Sequence, residues 1–347
     1  MALLALGAVL SAKAASVEDC RGISDDAKRL QCYDTVFGNG AVHGTTEEAA
    51  PVSAPSPLPT GAVVPTQSMP LGSGEAMSAL WELDPSEKRG TFVVRTYLPN
   101  FLLPALYTTS INREPSSPTR GAGAYQPSYR PVETEFQISL RAKAAENFLL
   151  PSADLWLAYT QQSFWQLWDH ADSAPFRDTD YQPQIIYVIP TPKEWSGLPF
   201  GWQWRMTQLS FSHQSNGESD PLSRSWNHVD LDAGFEKGDF GLQVQEYYRI
   251  PESRSSDDNP DLVSYLGATE LSFSWLGGPS TATLTWRISS QSLNRGSLRL
   301  QWSFPVVAKQ PAGLRWFVQV FTGYGETLLD YNHRQTSIGA GVTLFQF

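Results

Sequence analysis

An all-β fold, a twelve-stranded antiparallel transmembrane β-barrel, is what this 347-residue sequence predicts. Three observations predict it. Only 17% of the residues are charged, yet there are 12 Trp, 13 Tyr and 17 Phe, a balance that suits a β-protein with aromatic girdles. No apolar run beyond the N-terminus nears the ~20 residues a membrane-spanning helix needs, so any crossing falls to a barrel. From about Gly90 onward, short alternating runs are separated by turn residues.

The elements follow in order. Residues 1–14, opening "MALLALGAVLSAKAAS", read as a secretory signal: an apolar segment Ala2 to Leu10, then the A-x-A-like site Ala12-Lys13-Ala14. Residues 15–38 read as a small helical segment pinned by a Cys20–Cys32 disulfide, the default for two cysteines in an exported chain. Two cysteines are too few for a closed structural zinc site. Residues 39–80 read as a flexible linker rich in Pro, Ala and Ser. The barrel is placed at 85–347. Its runs are "TFVVRTYL", "EFQISLRAK", "DLWLAYTQQSFW", "QIIYVIP", "WQWRMTQLSFSH", "HVDLDAGFEK", "GLQVQEYYRI", "TELSFSWLG", "ATLTWRISS", "SLRLQWSF", "RWFVQVFTG" and "SIGAGVTLF". A soluble β-sandwich shows the same periods. The faces argue against it: Val229, Leu231, Ala233 and Phe235 alternate with His228, Asp230 and Asp232, which suits a wet interior and a lipid-facing exterior. The terminal Phe347 fits the end of a final barrel strand, given a bulge near that end. The net charge of -10 argues against a nucleic-acid partner.

The chemistry gathers in "LSFSHQSNGESDPLSRSWN". His213 and Ser215 share the face of Leu209 and Phe211. Asn216-Gly217 and Asp220-Pro221 mark a turn. A hairpin centred on Asp220 pairs residues whose numbers sum to twice that position. It sets His213 opposite Asn227 and Ser215 opposite Ser225, with directly opposed Cβ atoms about 4.5–5.5 Å apart. A hydroxyl, an imidazole and an amide then meet on one outward patch: nucleophile, general base and orienter. A polar hairpin tip is the bland reading, but three polar groups lined up beside Leu209 and Phe211 have little reason to face lipid unless they act there. On "LWLAYTQQSFW" the same parity places Gln161 outward with Leu157 and Tyr159. Two such amides meeting across a two-fold axis would satisfy each other in lipid.

These residues carry a resemblance. "HQSNGESDPLSRSWN" is similar to the signature of the outer-membrane phospholipase A family of Gram-negative bacteria, as are "YTQQSFWQL", "SAPFRDTDYQPQ", "DDNPDLVSYLG" and "GYGETLLDYNHRQTSIGAGV". The resemblance spans roughly residues 85–347. It implies a twelve-stranded barrel in the outer membrane, with Ser215 as nucleophile, His213 as general base and acid, Asn227 as orienter and the Gly217 N–H at the oxyanion. The reaction implied is hydrolysis of sn-1 and sn-2 acyl esters of phospholipids and lysophospholipids. It further implies calcium and a homodimer. The dimer-site ligands would be the Glu218 carbonyl, the Ser223 hydroxyl and the Ser173 carbonyl of the second chain, an oxygen-only set that suits this ion. Relatives carry arginine where Glu218 stands, a change a carbonyl ligand survives. A second calcium site is implied at Asp220 and Asp258. A porin or adhesin barrel is the rival reading. A barrel protease is a third, and it would use acidic pairs in the loops instead of an outward Ser-His-Asn patch.

Overall fold

In a computed structural model the described residues are 20–25, 27–32, 76–292, 294–310 and 313–344. The expected signal segment, most of the linker and Phe347 lie outside them. Two compact units divide the chain, residues 1–63 and 64–347. In the first, residues 20–21 and 27–32 are helical and the Cys20–Cys32 disulfide is formed.

In the second, twelve barrel strands run in order among the described residues: β1 (Phe101–Thr108), β2 (Val132–Ala145), β3 (Asp154–Trp165), β4 (Phe176–Pro190), β5 (Gln203–Ser215), β6 (Ser225–Lys237), β7 (Phe240–Arg249), β8 (Thr269–Trp275), β9 (Thr281–Ile288), β10 (Gly296–Pro305), β11 (Arg315–Tyr324) and β12 (Arg334–Thr343). Each pairs antiparallel with its chain neighbours, and β12 pairs with β1, so the sheet closes on itself. Closure leaves none of these twelve strands at an open edge, which hydrocarbon requires. Between Ala340 and Val342 the partners on β1 step from Ala105 to Leu102, so the extra residue is on β1; the bulge expected ahead of Phe347 lies outside the described residues.

Burial separates a membrane barrel from a sandwich, because it is inverted. On β6 the acidic Asp230 is 0% exposed, while its apolar neighbour Leu231 is 46% exposed. On β5, Gln208, Ser210 and Ser212 are buried, while Leu209 and Phe211 are exposed. The interior is cross-linked by polar groups: Arg177 bonds Glu133 at 2.9 Å and Asp330 at 2.5 Å, and Gln319 bonds Glu135 at 2.9 Å. Buried charges persist only when paired in this way.

Two expectations change. The first strand was expected at "TFVVRTYL"; only Val94–Thr96 is extended there, and it lies against β2, the strand that β1 also flanks. The barrel strand that meets β12 is "FLLPALYT". Pro104, which has no N–H to give a ladder, sits at a register shift between Leu103 and Leu106. The linker, expected to reach residue 80, ends earlier. Ala76–Trp81 forms helix α1, whose Met77 N–H bonds Glu236 at 2.8 Å and whose Trp81 packs edge-on to Trp156 under the Arg141 guanidinium. Its apolar Met77, Leu80 and Trp81 explain why this stretch folds into the barrel instead of remaining linker.

Candidate active site

Strands β5 and β6 are joined by residues 216–224 at the end of the barrel with the longer loops, the extracellular end in outer-membrane barrels. The register is the expected one: Ser215 opposes Ser225 and His213 opposes Asn227. Asn216 holds the turn closed, donating its amide to the Leu222 carbonyl at 2.9 Å and accepting from the Arg224 N–H at 2.9 Å. Gly217 has φ +68°, and a Cβ there would stand 3.2 Å from the Tyr181 ring, so conformation and space both call for glycine.

His213 Nδ1 lies 2.9 Å from Asn227 Oδ1. The amide's orientation is set from behind, because Asn227 Nδ2 donates to Glu252 Oε1 at 3.4 Å. A carboxylate accepts and does not donate when ionised, so Oδ1 is the atom left for the imidazole. It accepts the Nδ1 proton, which leaves Nε2 free to act as base. Among the described residues the bond made by Ser215 Oγ is with the Gly217 N–H at 3.1 Å, not with His213. For Ser215 to serve as the expected nucleophile, its hydroxyl would have to turn toward Nε2. The same contact puts the expected oxyanion donor beside the expected nucleophile.

The expected calcium ligands are spread over three loops. Ser173 is exposed, with φ +63°, in the loop after β3. Glu218 is exposed and Ser223 half-buried in the loop between β5 and β6. Ser223 Oγ donates to Asp258 Oδ2 at 2.7 Å, and Ser225 Oγ reaches the same oxygen at 3.2 Å. Asp220 and Asp258 do converge, with the Arg120 guanidinium between them: Nε is 2.7 Å from Asp258 and 3.3 Å from Asp220. Burial alone would push the Asp258 carboxyl up; the hydrogen bonds from Ser223 and Arg120 outweigh it and hold the group below its ordinary range. Gln161 faces outward as expected, while Gln162 donates inward to Glu135. Its amide is not bare, for Tyr159 donates to Oε1 at 3.1 Å and Nε2 donates to Ser163 at 3.3 Å.

Two contributors were missed in sequence. Glu252 backs Asn227 and Arg120 bridges the two aspartates. Neither has a local signal, because the first contact spans 25 residues and the second, to Asp258, spans 138.

The family profile described as phospholipase A1 matches residues 77–344. The chain belongs to the phospholipase A1 family. A putative phospholipase A1 of Neisseria meningitidis serogroup B is 34% identical over 347 residues, covering 93% of this chain and 89% of that one. The phospholipase A1 of Escherichia coli K12 is 32% identical over 258 residues, covering 74% of this chain and 83% of the relative. Among solved structures, the Salmonella typhi outer membrane phospholipase dimer with bound calcium matches with a TM-score of 0.64 and 30% identity, over 78% of this chain and 97% of that one. The outer membrane phospholipase A of E. coli matches with a TM-score of 0.63 and 30% identity, over 74% of this chain and all of the other.

Proposed function

We infer that this chain is an outer-membrane phospholipase that hydrolyses acyl esters of membrane phospholipids with Ser215, His213 and Asn227. The observation that carries the reading is the 2.9 Å His213–Asn227 bond on a face it shares with Ser215 and the exposed Leu209 and Phe211. A catalytic group pointed at lipid acts on lipid. His213 Nε2 takes the Ser215 proton as Oγ attacks the ester carbonyl. The Gly217 N–H stabilises the oxyanion. His213 returns the proton to the leaving alcohol, and the lysophospholipid departs. Water, deprotonated by the same nitrogen, then frees the fatty acid from Ser215. Both the sn-1 and sn-2 esters, and those of lysophospholipids, fit a site open to the bilayer.

Calcium is the cofactor that the site's oxygen donors suit. Ser223 donates its hydroxyl hydrogen bond to Asp258, which leaves its lone pairs to face a cation, and the Glu218 carbonyl lies on the same loop. With Ser173 of a second copy these would hold one ion per active site, in a homodimer with Gln161 at its interface. Bound there, calcium supplies positive charge beside the developing oxyanion. At Asp220 and Asp258 a second ion has to displace Arg120. The porin alternative is disfavoured by the match to the phospholipase A1 profile over residues 77–344.

The orienter is tested by Asn227→Ala and Glu252→Ala. Losing one tautomer-fixing hydrogen bond should lower kcat by roughly ten- to a hundredfold for Asn227→Ala, and by about three- to tenfold for Glu252→Ala, with KM little changed. In the Asn227→Ala background Glu252→Ala should add almost nothing, because it acts through the amide. Steady-state kinetics in mixed micelles on the four proteins reads both. Additive losses would refute the assignment of Glu252.

A further inference from the structure

We propose that Arg120 is a resident cation, whose guanidinium holds Asp220 and Asp258 together in place of a loop-bound divalent ion and, through Asp258, positions the Ser223 hydroxyl. The proposal rests on the calcium reading of Ser223 given above and deepens it.

Three loops meet at this side chain. Arg120 comes from the loop after β1, Asp220 from the catalytic loop and Asp258 from the loop after β7. Nε and Nη2 lie 2.7 and 2.6 Å from Asp258 Oδ1, Nε lies 3.3 Å from Asp220 Oδ1, and Nη2 donates to the Ser256 carbonyl at 3.2 Å. Arg120 is itself anchored. Its backbone N–H donates to Ser117 Oγ at 3.1 Å within the short hairpin of Ser116–Ser117 and Gly121–Ala122, and the neighbouring Thr119 hydroxyl donates to the Asp257 carbonyl at 2.6 Å.

Two carboxylates this close repel unless a cation joins them. A guanidinium does so permanently, because it keeps its charge at every working pH and presents a rigid fork of donors. A calcium ion aimed at the same oxygens meets a charge already in place. The far side of Asp258 then matters for chemistry. Its Oδ2 accepts from Ser223 and Ser225, and Ser225 is the cross-strand neighbour of Ser215. A hydroxyl that donates to a carboxylate turns its lone pairs outward and becomes a stronger cation ligand. Arg120 thus keeps half of the calcium site shaped before any ion arrives, and the need for calcium is confined to the dimer.

The test counts calcium on the full chain, purified in detergent and kept dilute enough to be monomeric, by equilibrium dialysis with radioactive calcium. Wild type should take up no ion that Asp220→Asn removes, at calcium up to ~1 mM, the range of weak extracellular sites. Arg120→Ala should gain one site per chain, which Asp220→Asn in the same protein abolishes. Arg120→Lys, which keeps the charge, should not gain it. Thermal unfolding gives a second reading: calcium should raise the melting temperature of the Arg120→Ala monomer and leave that of wild type unmoved. A wild-type monomer that binds one calcium lost on Asp220→Asn overturns the proposal whether or not the alanine variant folds. So does a folded Arg120→Ala that gains no site. Lipid hydrolysis by wild type in excess calcium is measured alongside. Its absence would sink the phospholipase reading, while the ion count reports on Arg120 alone.

Discussion

Ser215→Ala should reduce phospholipid hydrolysis by at least about a thousandfold and leave the barrel folded. Triad nucleophiles lose far more than that in comparable hydrolases, the residue of activity coming from the oxyanion donor and binding. Among the described residues, the serines next to Ser215 on this hairpin are engaged elsewhere. Ser225 opposes it across the hairpin but is committed to Asp258, and Ser212 faces the interior with Asp230. Losing the hydroxyl also frees the Gly217 N–H of its 3.1 Å acceptor, which water can replace at the exposed rim. Stability should therefore change little. The measurement is fatty-acid release from mixed micelles, with heat-dependent gel mobility as the check on folding. A folded alanine variant that retains most of its activity would mean that the outward patch is not catalytic. Labelling by a serine-directed sulfonyl fluoride should disappear in the same variant.

Much of this site was legible in the sequence because it is local. The hairpin between β5 and β6 is symmetric about its turn, and Asn216-Gly217 and Asp220-Pro221 punctuate it. Pairing then follows from arithmetic, and parity shows which side chains leave the barrel. His213 and Asn227 meet as that register requires. The same parity put Tyr159, Gln161 and Ser163 on one outer face, but not the hydrogen bonds among them, which depend on rotamers. Strand β1 was misplaced because Pro104 reads as a break, and only the closing contact with β12 overrides that local signal. Glu252 and Arg120 were beyond reach for a different reason. Both sit in irregular loops, where no period says which way a side chain points, and their partners arrive from other strand connections.

Removing calcium should lower hydrolysis by about a hundred- to a thousandfold, the size of one lost oxyanion donor, and should shift the protein toward monomer. The two effects are linked. One chain carries Glu218 and Ser223 near its nucleophile, while Ser173 lies on the loop after β3 and would serve the second copy. An ion that takes ligands from both chains binds the dimer more tightly than the monomer, and linkage makes it favour dimerisation by the same factor. An enzyme facing its own membrane needs such a gate. On the proposed reading a monomer would have the formed His213–Asn227 pair but only part of the electrostatic site. On the proposed reading, perturbing the bilayer would let copies meet and would bring phospholipid to the Ser215 face. Gln161 should contribute modestly. Its amide already bonds Tyr159 and Ser163, so pairing across the two-fold axis exchanges bonds instead of adding them, and the low end of membrane hydrogen bonds, ~0.6 kcal/mol, applies. Gln161→Leu should accordingly weaken the dimer about threefold, at one pair per dimer. Sedimentation in detergent with calcium and with chelator, on wild type and Gln161→Leu, reads the assembly, and hydrolysis in the same samples reads the activity. A protein that stays monomeric in calcium and still hydrolyses lipid at full rate would show that one chain holds the complete site, and that the gate lies elsewhere.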